Sequence, residues 1–321
     1  RYFPSRSPRQ YIKLSYKKDL EQLGAGSNQY LGLDNFLSSA LRITPGNELN
    51  GLEEYLAIYQ RVWNDNFTSS VKLTHRTIWP LGDLIFVKNN GAEEVMELTN
   101  IKAAEYTVNI RLGKNERFFE APYNRTSLGS NFPIFNLQFS QGLKGVFGSA
   151  YNYQKLIVNG YQKVRLGLYG TFNYNISAGK IFGNLPYPLL QLHNGNETYF
   201  YNRATFNLMN YYEFVSDQWS SLFVEHHFQG LLFNKIPLIK HLKLREVVSF
   251  NFLVGSLDSS HLSEMNLLND LYELNDPYSE FSLGIDNIFS AFRIDAIWRL
   301  AHKNNPNTIP FGLRASAHIG F

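Results

Sequence analysis

The densest group of chemically capable side chains in the sequence is Glu225-His226-His227. On an extended strand successive side chains alternate between faces, so Glu225 and His227 share one face while His226 takes the other. A carboxylate and an imidazole two residues apart can share a metal ion, with His318 near the end of the chain as a third ligand. The same face carries Ser221, which with His227 would be the start of a nucleophile and base pair. Neither reading gathers support elsewhere. No His-Glu-x-x-His stretch occurs, Ser221 and His227 are too loosely placed for a triad, and cysteine is absent, which removes thiolate ligands and thiol nucleophiles. The isolated glycines fit turns and bends rather than a phosphate-cradling loop. The sequence therefore predicts no catalytic residue, no metal and no cofactor.

The other charged residues fall at alternate positions of apolar runs. Lys13, Lys17, Lys72, Arg76, Arg111, Arg245, Arg293, Arg299 and Arg314 share such positions with Asp19, Glu105, Glu225, Asp286 and Asp295. That is an excess of base on one set of faces. It has two meanings: ion pairs that brace a wall, such as Asp295 with Arg293 or a cross-strand arginine, or a basic passage that favours anionic solutes. Bracing is the commoner of the two.

The elements that must position these residues are strands. Phe292, Ile294, Ala296, Trp298 and Leu300 alternate against Arg293, Asp295, Ile297, Arg299 and Ala301, and Phe311 to Phe321 repeats the pattern after the polar segment His302 to Thr308. Each strand is about 11 residues, the length a tilted strand needs to cross a bilayer's hydrocarbon layer. Ten further strands are predicted at Gln10 to Leu20, Glu54 to Trp63, Ser69 to Trp79, Lys102 to Leu112, Ile134 to Gln141, Tyr151 to Val164, Tyr169 to Gly179, Trp219 to Phe233, Leu244 to Gly255 and Phe281 to Phe289. Counting back from the last strand, the long connections Lys180 to Gln218 and Ser256 to Glu280 fall on one side. The shorter Arg165 to Leu168, Asn234 to Lys243 and Ser290 fall on the other, with Gly113 to Asn131 the one long exception. Loops sorted by length are a habit of bacterial outer-membrane barrels and not of a two-sheet sandwich. Trp79, Trp219 and Trp298, near strand ends, read as anchors at a membrane interface.

Composition agrees with such a barrel without requiring it. Of 321 residues, 44% are hydrophobic and 15% aromatic, and no apolar run reaches the length of a membrane helix. A chain of this kind spans lipid only as a closed barrel. The net charge of +3 comes from scattered residues, so nucleic acid is not among the expected partners. Arg1 opens a polar segment without a signal-like apolar core, and the whole of 1–321 reads as one barrel domain from the C-terminal part of a longer chain.

Several stretches carry a resemblance. YQKLIVNGYQKVRLG (Tyr153 to Gly167), SAGKIFGNLPYPLL (Ser177 to Leu190), GNETYFYN (Gly195 to Asn202), MNYYEFVSDQW (Met209 to Trp219), FVEHHFQGLLFNKIPLIKHLKLREV (Phe223 to Val247) and KLTHRTIWPLG (Lys72 to Gly82) are similar to Bacteroidota outer-membrane proteins. Those proteins pair an N-terminal carboxypeptidase-like regulatory domain with a large C-terminal barrel domain of unknown function. At longer range the chain resembles the BamA, TamA and two-partner-secretion barrels, which insert or export polypeptides. The resemblance implies sixteen strands, of which the twelve here are the last.

It also implies a long loop that folds into the lumen and touches acids on the next two strands. Lys180 to Gln218 takes that place, with Asn196, Glu197, Tyr211, Tyr212 and Glu213 as its plug residues. The opposing wall would offer Glu225, His227, Asn251, Arg293, Asp295, Arg299 and Arg314. The family's Arg-Gly pair is missing from this loop, and Asn210, Tyr211, Tyr212 and Glu213 are its nearest local match. Asn251 or Leu253 replaces an expected aspartate, and Ser316 stands where the last strand commonly has glycine. The implied role is translocation, insertion or assembly of envelope proteins at the outer membrane of a Gram-negative cell. Its partners would be outer-membrane lipid, lipopolysaccharide, and envelope proteins or assembly-machinery subunits. A solute channel or receptor with a basic lumen is the alternative.

Overall fold

A computed structural model describes residues 2–6, 8–21, 48–82, 84–89, 95–121 and 125–317. The connection at 22–47, His318 and the terminal Phe321 lie outside the described residues. The chain opens with β1 (Tyr2–Arg6), β2 (Arg9–Glu21), β3 (Glu48–Asn64) and β4 (Phe67–Gly82). A hairpin of β5 (Phe86–Asn89) and β6 (Val95–Leu98) leads to β7 (Ile101–Gly113), and a second, β8 (Arg117–Glu120) with β9 (Arg125–Gly129), leads to β10 (Ile134–Gly142). Then come β11 (Gln154–Arg165), β12 (Thr171–Phe182), the short β13 (Gln191–Leu192) and β14 (Phe214–Ser216), β15 (Gln218–His227) and β16 (Arg245–Ser256). The short β17 (Tyr272–Glu273) precedes β18 (Tyr278–Ile288), β19 (Phe292–Arg299) and β20 (Phe311–Ala317).

Thirteen of these strands form one antiparallel sheet in the order β1-β2-β3-β4-β7-β10-β11-β12-β15-β16-β18-β19-β20. All twelve strands expected from alternation are present, and β1 makes a thirteenth. Five residues with Pro4 among them are too short to show an alternation, so β1 left no periodic signal. The described residues contain no α-helix, only short 3-10 turns. Sequential neighbours in the order are joined by successive connections, so every second connection falls on the same rim. One rim carries the described residues of 84–100, with 143–153, 183–217, 257–277 and 300–310, while the other carries 65–66, the described residues of 114–133, 166–170, 228–244 and 289–291.

Burial across this sheet is inverted relative to a soluble one. Leu14 and Leu313 on one face are 74% and 57% exposed, while Arg293 on the opposite face is 0% exposed. Cross-strand pairing confirms the faces: Ile294 stands opposite Ala315 on the apolar side, and Asp295 opposite Arg314 on the polar side. We call the polar face inner, because the 183–217 segment lies against it. Burial there is supplied by this segment and not by a second sheet. Leu185, Tyr187, Met209, Tyr212 and Phe214 pack with Leu253 and Tyr278 of the strands and with Met265 and Leu274 of the 257–277 connection. A three-stranded sheet of β13, β14 and β17 ties the two connections together, with β14 and β17 parallel.

Trp219 departs from its expected role. It is 6% exposed and packs on the inner face against His193, at 6.4 Å between ring centroids. Strand alternation puts it with Ser221 and Glu225, so proximity to a strand end did not make it an interface residue. Trp79, by contrast, lies across Gly51, where a Cβ would fall 2.0 Å from its ring, and Trp298 packs with Phe281 and Phe311 on the apolar face.

Candidate functional site

The site is the contact between the 183–217 segment and the inner face of β15 to β20. It is built from strand residues at alternate positions. Glu225 on β15, Ser249 and Asn251 on β16, Glu280 and Ser282 on β18, Arg293, Asp295 and Arg299 on β19 and Arg314 on β20 all point inward and are buried. Burying a charge is costly unless it is paired and hydrogen-bonded, and nearly every charge here has such partners.

Two arginines organise the contact. Arg293 donates from Nε and Nη2 to the two oxygens of Asp295, both at 2.7 Å, and from Nη1 to Glu225 Oε2 at 2.8 Å. The Asp295 fork matches the guanidinium bidentately, the geometry that makes such pairs strong. Arg299 grips Glu213 of the segment in the same way, Nη1 donating to Oε2 at 3.0 Å and Nη2 to Oε1. Its remaining hydrogens go to the carbonyls of Leu208 at 3.1 Å, Ala301 at 3.0 Å and His302 at 2.9 Å. One strand side chain thus fixes two points of the segment and the base of the β19–β20 connection.

Glu280 performs the complementary task. Its carboxylate accepts from the backbone N–H groups of Asn207 and Leu208 at 2.8 and 2.7 Å and from the Tyr278 hydroxyl at 2.6 Å. A buried carboxylate satisfied by two backbone donors holds the segment by its main chain, which makes the contact independent of side-chain identity at 207 and 208. Further along, the Tyr201 hydroxyl donates to Glu225 Oε2 at 3.2 Å and lies as close to Ser249 Oγ, with Arg293 stacked 4.3 Å over its ring. Arg203 Nε sits 3.1 Å from Glu225 Oε1, and His227 Nε2 shares a 2.5 Å contact with the same oxygen. Glu225 therefore faces four cationic or hydrogen-bonding partners at once, Arg293, Tyr201, Arg203 and His227, and His227 reaches on toward Asp286 at 3.9 Å.

The segment also closes on the sheet's last strand. Phe200 forms a parallel bridge with Ala315 of β20, in which Tyr201 N donates to Ala315 O at 2.8 Å and Ala315 N donates to Tyr199 O at 2.9 Å. Those groups point away from β19, so the segment occupies part of the edge of β20 that, among the described residues, no other strand of the sheet pairs with. An open edge invites strand addition, and covering it is a standard way to prevent that.

Inside the segment, Asn196 acts as a polar hub. Its Nδ2 donates to Phe200 O at 2.6 Å and Asn207 Oδ1 at 2.8 Å, and its Oδ1 accepts from Thr198 N at 3.0 Å. Glu197 accepts from Tyr211 N at 2.9 Å, a bond that shapes the segment. Tyr212 reaches farther: its hydroxyl accepts from Asn50 Nδ2 on β3 at 2.8 Å. Asn251 borders a cavity of about 380 Å³ between segment and sheet, together with Tyr201, Arg203 and Glu225. Arg314 is buried and donates to Leu313 O at 3.1 Å, with its Nε unpartnered. Burial alone drives the His193 imidazole down to about 3. It is therefore neutral at physiological pH and shares a 3.0 Å hydrogen bond with Ser216 Oγ.

Of the expected plug residues, Glu213 meets the wall through Arg299 and Tyr212 through Asn50. Within the segment it is Arg203 that reaches Glu225, beside the wall's own Arg293, while the 210–213 stretch delivers Glu213 to Arg299 instead. Sequence reasoning also passed over Tyr201, Asn207, Tyr278 and Glu280. The last two were legible in principle: Tyr278, Glu280, Ser282 and Gly284 alternate on one face, and the strand extends back to 278 rather than starting at Phe281. Tyr201 and Asn207 carry no periodicity because their segment is not a strand. Glu225 and His227 do come together, but among the described residues no cluster of three potential metal ligands forms.

Comparison with known proteins agrees with this architecture. The C-terminal domain model of a family of unknown function (DUF5686) matches residues 71–267. No curated protein matches. Among solved structures, the crystal structure of BamA from Haemophilus ducreyi lacking POTRA domains 1–3 superposes with a TM-score of 0.53 at 8% sequence identity. The match covers 84% of this chain and 55% of that one, so the chain spans about half the length of the BamA structure. At this identity the likeness is one of fold, an outer-membrane-type β-barrel.

Proposed function

The chain belongs to that family of unknown function, and from this premise we propose that it is a membrane-spanning barrel of the outer membrane, its interior occupied by the 183–217 segment, serving the translocation, insertion or assembly of envelope polypeptides. The observation that carries the proposal is the bridge between Phe200 and Ala315. A segment that only obstructed a pore would need contacts with the interior wall. This one also takes up main-chain hydrogen bonds of the terminal strand, the groups an incoming extended polypeptide would use. Inverted burial supports the membrane part: a face of exposed Leu, Ile and Phe suits lipid, and a polar face suits an interior.

The segment then acts as a gate with two positions. Seated, it fills the interior and covers the β20 edge. Released, it exposes both. The contacts to be broken are discrete, chiefly the Arg299–Glu213 fork, the two N–H bonds to Glu280 and the bridge to β20, so release is a concerted step rather than a gradual loosening.

The channel reading finds less support. Its premise is an excess of interior base, yet Arg293 and Arg299 are each held in carboxylate forks and present no free field to a solute. Depletion of the full-length protein in its native host, followed by quantitative proteomics of the isolated outer membrane, tests the assignment. Selective loss of other barrels or surface proteins is the expected result. An unchanged inventory with a growth defect on particular nutrients would overturn it in favour of the channel.

A further inference from the structure

The connection between β15 and β16 lies on the rim opposite the segment, and nothing in the gate uses it. Residues 228–245 contain no aspartate or glutamate but include Lys235, Lys240, Lys243 and Arg245. Its apolar side chains are turned out: Leu238 is 85% exposed, and Leu232, Ile236 and Leu242 are exposed as well. The adjoining turns repeat this, with Leu168 and Phe289 each 90% exposed. Such a density of outward leucine is not a solvated loop.

The connection is also built rather than loose. Glu246, the second residue of β16, stands opposite Ile285 and so projects from the apolar face of the sheet. Its buried carboxylate accepts from Gly230 N and Leu232 N at 3.0 Å each and from Phe233 N. The chain is thereby drawn onto the outer face. Two 3-10 turns follow, at Phe233–Lys235 and Ile239–Leu242. Asn287 Nδ2 donates to Lys243 O at 2.7 Å, and His226 Nε2 lies 2.8 Å from Tyr169 O, which joins this ledge to the turns on either side. The result is a preformed shelf with leucines on its surface and lysines among them, continuous with the apolar face of β11, β12 and β18.

We propose that this ledge is a binding surface for anionic phospholipid: its leucines enter the margin of the hydrocarbon layer and Lys235, Lys240 and Lys243 engage headgroup phosphates. The occupant follows from continuity and charge. The ledge extends the lipid-facing surface of the sheet at its rim, where headgroups lie, and the charged side chains it exposes, Lys235, Lys240 and Lys243, are all positive. Lysine beside leucine at that depth lets the aliphatic stem stay in the apolar layer while the ammonium reaches phosphate. Each lysine near an anionic surface adds roughly five-fold in affinity. The proposal rests on the membrane-spanning reading above.

The absence of cysteine from the sequence allows a clean test. Leu238→Cys on the ledge and Leu283→Cys on the outer face of β18 are each labelled with an environment-sensitive fluorophore in the full chain. Both are reconstituted into phosphatidylcholine vesicles with or without phosphatidylglycerol. Quenching by nitroxide-labelled lipid is compared with quenching by aqueous iodide. At both positions lipid quenching should dominate. Nitroxide-labelled phosphatidylglycerol should quench the Leu238→Cys label several-fold more than the phosphatidylcholine analogue, a preference that the triple change Lys235→Gln, Lys240→Gln and Lys243→Gln abolishes. Lipid quenching at 283 with iodide quenching at 238 would overturn the ledge proposal alone and make the surface one for a protein partner. Lipid quenching at both positions with no headgroup preference would also overturn it, because the lysines would then have no ligand. Iodide quenching at both positions would overturn the membrane-spanning reading itself.

Discussion

Two stretches of the same sheet, β2 to β4 and β15 to β20, carry the same alternation of apolar and charged residues and put it to different use. On the first, Lys17 and Asp19 are 3.8 Å apart and exposed, and Arg76 stands 3.9 Å from Glu54 and 3.7 Å from Glu105 of the neighbouring β7. On the second, Arg293 and Asp295 form a 2.7 Å fork with no exposure, and Arg299 holds Glu213 equally buried. The difference is the covering segment. Where 183–217 lies over the wall, water is excluded, the local dielectric falls and each ion pair becomes strong and obligatory. Lys17 and Asp19, which nothing among the described residues covers, remain loose and screened. Alternation decides which way a side chain points, and the segment decides what that direction is worth.

The sharpest challenge to this contrast is Arg299→Ala. Removing one partner leaves Glu213 buried and unpaired, and a loss of roughly 3–5 kcal/mol is expected. It should show as a lower midpoint of urea unfolding in detergent, with faster proteolysis inside 183–217. A change of less than about 1 kcal/mol would mean that the segment is not held as described.

Acid should act on the covered region next. His193 is neutral when folded, with its value depressed to about 3, whereas an unfolded imidazole titrates near 6.5. Below that the unfolded chain binds the extra proton, so this contribution is intact above pH 6.5 and is lost as pH falls from there toward 3. His193→Gln keeps a hydrogen-bonding group for Ser216 and should flatten that part of the stability profile. An unchanged slope between those limits would place the acid sensitivity elsewhere.

Tyr201→Phe removes one hydroxyl from the Glu225 and Ser249 cluster and is expected to cost about 1 kcal/mol. Arg293 still satisfies Glu225, so the same unfolding measurement should separate this small effect from that of Arg299. On the open wall, Lys17→Ala should change stability by less than about 0.5 kcal/mol. A larger loss there would erase the contrast between the two regions.

The strands, their faces and the sorting of connections by length were legible because each depends on near neighbours in the chain. Glu225, Arg293, Asp295 and Arg299 could all be assigned to the polar face from a period of two alone. That same period failed for β1, which is too brief, and for the 228–233 stretch, which Glu246 pulls out of the strand that its alternation suggested. Trp219 shows a further limit, since its face was set by parity but its burial by a partner 26 residues away, His193.

What the sequence by itself determined is an all-β chain with one polar and one apolar face to its strands. Side-chain alternation is a covalent consequence of extended backbone, and it needs no tertiary contact to be read. Only the tertiary structure decided that 183–217 turns inward, that Arg203 rather than the 210–213 stretch reaches Glu225, and that Phe200 takes the edge of β20. Those outcomes depend on which residues, distant along the chain, can satisfy buried charges and open main-chain groups at once. No local pattern encodes that competition, because it is settled by the geometry of the assembled wall.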